Sequence, residues 1–178
     1  MEGEKERNIL EKRGHYIAGF ADGEGSFNVS FRKREDCLIG WQITPVFNIS
    51  QKEKRILEII KTHIGCGTIR FRSDHVWVYE VIKQEHLCAT VIPFFKRFPF
   101  LSEKKKKDFS RFQRVIELLS KEKSLTYETV KRVLILLQGV ESKSSRKHTD
   151  DQIKERAEIF WRRNSQRIET LNQKKPLL

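Results

Sequence analysis

The chain has 178 residues, the size of one ordinary domain, and its 36 Lys and Arg against 24 Asp and Glu leave a net charge of +12. Twelve Phe, three Trp and three Tyr are too many for a disordered chain, no apolar stretch approaches the ~20 residues of a membrane span, and the N-terminal MEGEKERNILEKRGHY has no apolar signal-peptide core. Three widely spaced cysteines (Cys37, Cys66, Cys88) without a C-x-x-C speak against a disulfide framework or a zinc site and for a reducing intracellular setting, a bacterial cytoplasm or an organelle matrix.

Residues 8–22 carry Ile9, Leu10, Tyr16, Ile17 and Phe20 at helical spacing, and Gly23 and Gly25 predict the stop. Period-2 alternation follows: Phe27, Val29 and Phe31 point one way, and Asn28, Ser30, Arg32 and Arg34 the other. A second strand reads from Trp41 to Ile49, with Gln42, Thr44 and Asn48 in one phase. Pro45 inside it marks a bulge or an edge, and Arg34 to Gly40 closes a hairpin. The spacing predicts a helix over 52–64 on the stripe Ile56, Leu57, Ile59, Ile60 and Ile64, stopped by Gly65-Cys66-Gly67. Residues 68–72 and 75–82 form a second hairpin rich in Val, Ile, Phe, Trp and Tyr.

Helices are expected at about 84–97, 102–120 and 126–138, then a polar, basic loop (ESKSSRKH, 141–148). Thr149-Asp150 caps a last amphipathic helix carrying Ile153, Ala157, Phe160 and Trp161. The order is α-β-β-α-β-β-α with extra C-terminal helices. That is an α+β domain over 1–163, with a four-stranded antiparallel sheet, helices on one face and the other face free, followed by a tail, 164–178, ordered only in part.

The free face and the charge point the same way. Residues 96–123 hold 10 basic against 4 acidic residues and residues 143–175 hold 10 against 5, so the excess lies in the second half. Such a concentration suits a polyanion, although a lysine run by itself is equally a solvated face. On the strands, Asn28, Ser30, Arg32, Arg34, Gln42, Thr44, Asn48, Arg70 and Arg72 form a polar phase almost without acids. Ordinary solvated sheet faces mix Glu and Lys. Arg reads guanine, Asn and Gln read adenine, Ser and Thr read either, and a β-ribbon fits the major groove.

Tyr16 to Phe27 (YIAGFADGEGSF) is the sharpest signal. Asp22 and Glu24 sit at a helix C-terminus, where orphan carbonyls already favour cations. Carboxylate and carbonyl oxygens suit Mg²⁺, and the small Ala18 and Gly19 would let a second helix approach. A plain helix C-cap is the simpler alternative. An EF-hand is ruled out, because its remaining ligand positions are missing.

IAGFADGEGSF resembles the signature of the LAGLIDADG homing endonucleases, with Glu24 in the place of the second acid. Asn48-Ile49-Ser50-Gln51-Lys52 with Arg55 resembles the family segment that brings a Gln and an Arg near the scissile phosphate. Pro93-Phe94-Phe95-Lys96 followed by Leu101-Ser102-Glu103-Lys104-Lys105 resembles the segment of the active-site lysine. Alignment through the following helix selects Lys105, and a one-residue shift selects Lys104. Residues 138–149 resemble a basic loop of the single-motif, homodimeric branch.

The resemblance covers residues 8–163 and implies a homodimer on double-stranded DNA, with Ala18, Gly19 and Asp22 at the helix–helix seam. It implies Glu24 and the Gly23 carbonyl as ligands of Mg²⁺, with Mn²⁺ able to substitute and Ca²⁺ able to bind without cleavage. Gln51 would orient solvent, Arg55 and Lys105 would offset phosphate charge, and Lys143, Arg146 and Lys147 would touch backbone phosphates. An intron-encoded enzyme cutting a long pseudo-palindromic site to leave 3′ overhangs is the implied function. An RNA-binding splicing factor and a non-cleaving DNA-binding regulator are the alternatives on the same fold.

Overall fold

The computed structural model describes residues 2–122, 124–138 and 147–173, with side chains to residue 165. Its elements are α1 (Glu2–Glu24), β1 (Gly25–Lys33), β2 (Trp41–Gln51), α2 (Lys54–Ile64), β3 (Thr68–Phe71), β4 (Trp77–Val81), α3 (Gln84–His86), α4 (Ile92–Arg97), α5 (Glu103–Lys121), α6 (Tyr127–Leu136) and α7 (Asp150–Gln173). The expected αββαββα order and four-stranded sheet are present, with strand order β1-β2-β4-β3. The chain folds as two compact units, Met1–Val29 with Pro45–Ile116, and Ser30–Thr44 with Glu117–Leu178.

In the first unit, β2 pairs antiparallel with β4 from Phe47↔Val81 to Gln51↔Trp77, and β4 with β3 from Thr68↔Glu80 to Phe71↔Trp77. This register sends Phe47, Ile49, Tyr79 and Val81 to one side, where they are buried against Ile17, Ala18 and Ala21 of α1 and Leu57, Ile60 and Ile64 of α2. Phe27 of β1 lies 5.1 to 5.8 Å, ring centre to ring centre, from Phe47, Phe95, Phe100, Phe109 and Phe112. Aromatic rings thereby pack β1 and β2 against α4 and α5. Gly65 ends α2 in the left-handed conformation with φ of 85°, as its place in Gly-Cys-Gly predicted.

Pro45 sits in β2 beyond the stretch paired with β4. A proline has no N–H to give a ladder, and its place outside the β4 register agrees with the expected interruption. The expected helix over 84–97 is three pieces. α3 leads into a π turn, Leu87–Val91, where the Ile92 N–H reaches back to the Leu87 carbonyl, and α4 follows. Pro93 directly behind the turn has no N–H for the regular helical bond, which favours a shift in the pattern here.

In the second unit, Trp41 is fully buried and its indole N–H donates to the Ile153 carbonyl at 3.0 Å. Ile153 and Ala157 of α7 and Val130, Val133 and Leu134 of α6 are buried in the same unit. Both helix starts are capped as residue type predicts. Thr126 and Thr129 form a reciprocal box at α6, and Thr149 and Gln152 exchange backbone and side-chain bonds at α7. Gly40 has φ of 67°, and a Cβ there would meet the Phe160 ring at 2.7 Å. Two helices exceed their expected length: α1 begins at Glu2 rather than near residue 8, and α7 stays helical through Gln173, past the point where the apolar pattern fades.

Phe95 is 1% exposed at the centre of the first unit's aromatic cluster. Phe95→Ala is expected to cost about 3–5 kcal/mol of unfolding free energy, read from denaturant melts. A loss below about 1 kcal/mol would mean the rings repack around the cavity.

Candidate active site

The last turn of α1 places each motif side chain by its angle around the helix. Ala18 is 3% exposed and packs in its own unit's core. Gly19 and Gly23 have nothing within 4 Å of a built Cβ, so they lie on an open face. Tyr16 on the same helix is 55% exposed. Gly25 is required sterically: a Cβ would meet the Ala21 carbonyl oxygen at 2.5 Å where α1 turns into β1.

Asp22 points toward the start of α5. Its Oδ2 accepts the N–H groups of Leu101 at 3.0 Å and Ser102 at 2.9 Å, and its Oδ1 accepts the Ser102 hydroxyl. Partial burial alone would raise its pKa. The bonds from Ser102 and Leu101 and the charge of Lys105 outweigh burial and hold the carboxyl below its ordinary value. Asp22 is thus spent within its own chain.

Lys105, in the first turn of α5, sends its ammonium to the Gly25 carbonyl. Burial lowers its pKa, while the carboxylates of Asp108, Asp22 and Glu24 pull the other way. Of the two candidate lysines, Lys105 is the one bonded to the end of the motif. Glu24, the last residue of α1, is exposed. The carbonyls of the last turn, Gly23 included, have no intrahelical partner. One exposed carboxylate beside free carbonyls is an all-oxygen donor set that fits a hard divalent cation. Among the described residues no three His, Cys, Asp or Glu side chains cluster so as to hold a metal ion.

The other two expected catalytic side chains are not joined to Glu24 by any hydrogen bond or ion pair among the described residues. The Gln51 carboxamide oxygen accepts the Lys52 N–H at 2.9 Å. Arg55 lines an open cavity of about 760 Å³ with Arg7, Leu10, Arg13, His63 and Phe98.

On the strands, the polar phase is outward as expected. In the first unit Asn28 and Arg70 are exposed and Asn48 is half-buried; in the second Ser30, Arg32 and Gln42 are exposed and Thr44 is half-buried. The structure adds acids that the strand alternation hid. Arg70 Nε donates to Glu80 at 2.8 Å, across the β3–β4 pair. Arg34 is forked onto Asp36 at 2.8 and 2.6 Å, and Arg72 bonds Asp74 at 2.5 Å. Arg34 holds the Asp36 carboxyl down to about 2. Arg32 has no ion-pair partner among the described residues. Lys147 is exposed, whereas Lys143 and Arg146 lie outside the described residues. Three contributors went unnoticed in the sequence. Ser102 bonds Asp22, and Lys33 and Arg156 join Lys147 around His148, whose pKa is lowered by burial and by those three charges.

A family model described as LAGLIDADG endonuclease matches residues 17–116. The chain is 32% identical over 145 residues to homing endonuclease I-ApeII of Aeropyrum pernix, covering 78% of this chain and 86% of that protein. It is 30% identical over 115 residues to DNA endonuclease I-CeuI of Chlamydomonas moewusii, covering 59% of this chain and 51% of that one. Among solved structures, the archaeal intron-encoded homing endonuclease I-Vdi141I complexed with DNA superposes with a TM-score of 0.75 at 29% identity, over 84% of this chain and 97% of that one. I-SmaMI bound to uncleaved DNA target in the presence of calcium ions gives 0.68 at 27% identity, over 72% of this chain and 45% of that one. This chain therefore spans less than half of I-SmaMI.

Asp22→Ala is expected to lose about 1 kcal/mol at neutral pH, the usual worth of a helix cap. The folded-state pKa lies below the ordinary 3.8, so the contribution is present above that value and is lost as pH falls through the folded one. Melts from pH 7 down to pH 2 should show the deficit shrinking in acid. A deficit that stays constant across that range means the carboxylate charge contributes nothing.

Proposed function

The chain belongs to the LAGLIDADG endonuclease family, and we propose that it works as a homodimeric, Mg²⁺-dependent homing endonuclease cutting both strands of a long pseudo-palindromic DNA site to leave 3′ overhangs. The observation that carries this reading is the pairing of Lys105 with the Gly25 carbonyl beside an exposed Glu24. The same bond ties α5 to the end of α1, and it keeps the ammonium near the Glu24 carboxylate.

Glu24 and the Gly23 carbonyl would hold the divalent ion, with Mn²⁺ as a substitute and Ca²⁺ as a ligand that does not support cutting. When bound, the ion supplies positive charge at the scissile phosphate and makes nearby water more acidic. The Lys105 ammonium faces the same point and offsets negative charge building on the phosphate. Arg55 is long enough to reach a phosphate from the first turn of α2, and Gln51 at the end of β2 can orient water once its carboxamide leaves the Lys52 N–H.

One carboxylate per chain argues for two chains. The open stripe of Tyr16, Gly19 and Gly23 supports a second α1 as the neighbour, since missing Cβ atoms allow close helix approach. Recognition is assigned to the outward strand phase, with base edges read by Asn28, Ser30, Arg32, Arg34, Gln42, Thr44, Asn48, Arg70 and Arg72, and with Lys143, Arg146 and Lys147 on phosphates.

Glu24→Gln should abolish cleavage of a cognate duplex in Mg²⁺ while leaving duplex affinity within about tenfold, because the amide keeps the shape and loses the charge. Cutting at the parental rate would remove Glu24 from the metal site. Light scattering should give twice the 21.2 kDa chain mass, and Gly19→Leu should shift the protein toward monomer. A monomer cutting duplex at first order in protein would end the homodimer reading.

A further inference from the structure

We infer that Ser102 is a positioning residue for cleavage, one that fixes Lys105 through α5 and touches no substrate itself; the inference rests on the reading above that Lys105 acts at the scissile phosphate. Ser102 immediately precedes α5. Its hydroxyl works in both directions: it donates to Asp22 Oδ1 and accepts the Lys105 backbone N–H at 3.3 Å. Its own N–H donates to Asp22 Oδ2 at 2.9 Å. The first acid of the motif is therefore linked through one side chain to the main chain of the residue that carries the ammonium.

Lys105 is pinned at both ends, its amide by the Ser102 oxygen and its ammonium by the Gly25 carbonyl. Four rotatable bonds lie between those points. A lysine anchored only at its ammonium could carry that charge away from the phosphate with the first turn of α5. With the base of the side chain fixed as well, the ammonium has one place to be. The segment does not depend on Ser102 to stay folded, because Phe98 and Phe100 just before it are 5% and 3% exposed in the core. Losing the hydroxyl loosens the lysine and leaves the unit intact.

The test uses full-length protein, Mg²⁺, and a duplex selected as cleaved from a randomised-site library. Single-turnover rates are compared for the parent, Ser102→Ala, Ser102→Thr, Lys105→Met and the double variant Ser102→Ala/Lys105→Met. Ser102→Ala should slow cutting about tenfold, with duplex affinity in Ca²⁺ close to parental and the melting temperature lowered only by the few degrees that a lost helix cap costs. Ser102→Thr, which keeps the hydroxyl, should recover a rate within about twofold of the parent. The double variant should be no slower than Lys105→Met, because the two act as one unit.

If Lys105→Met cuts at the parental rate, the assignment of Lys105 falls and takes the inference with it. Two results overturn the positioning role alone. In one, Lys105→Met is slow while Ser102→Ala cuts normally. In the other, the Ser102→Ala loss multiplies in full with that of Lys105→Met.

Discussion

Two side chains crossing in opposite directions hold the end of α1 against the start of α5. Asp22 gives its carboxylate to the orphan N–H groups before α5, and Lys105 gives its ammonium to a carbonyl just past α1. Each charge meets the helix end whose partial charge attracts it. The crossing also divides the work of the two motif acids. Residues 22 and 24 are about 200° apart around a helix, so when one turns toward α5 the other must turn away. Asp22 is committed to structure, and Glu24 is left exposed with its charge available.

The same angular arithmetic explains the small residues. Ala18 and Gly19 are neighbours in sequence and look interchangeable as spacers, yet about 100° separates them on the helix. Ala18 falls with Ile17 and Ala21 in the core. Gly19 and Gly23, four residues apart, fall together on the open side. The open side of α1 is therefore set by that glycine pair, while Ala18 packs in the core.

Most of the fold was legible because its signals are local. Glycine ends α2, Thr149 caps α7, and period-2 alternation assigns the faces of β1 and β2; each needs only a few neighbouring residues. What was illegible depends on register or on partners far away in sequence. Glu80 joins the outward face because β4 pairs with both β2 and β3, so its carboxylate meets Arg70 ten residues away. Ser102 looked like an ordinary residue before a lysine run, since its role exists only when Asp22, eighty residues earlier, arrives beside it. Between Lys105 and Lys104 the sequence offers alignment alone, and the bond from Lys105 to the Gly25 carbonyl depends on a partner eighty residues away.

The charge of the outward strand phase is therefore less uniform than its composition. Arg32 has no acidic partner among the described residues, whereas Arg34, Arg70 and Arg72 each carry one. Exposed pairs of this kind are worth about 0–1 kcal/mol, so breaking one to meet a ligand costs little. Their effect lies in selection and orientation. An acid beside a guanidinium repels a phosphate and holds the fork in one direction, and where it takes both fork N–H groups, as Asp36 does from Arg34, it must be released before that fork can meet another acceptor. Arg34, Arg70 and Arg72 thus share their charge with a neighbouring acid, while Arg32, with no such partner among the described residues, presents its charge undivided on the same phase.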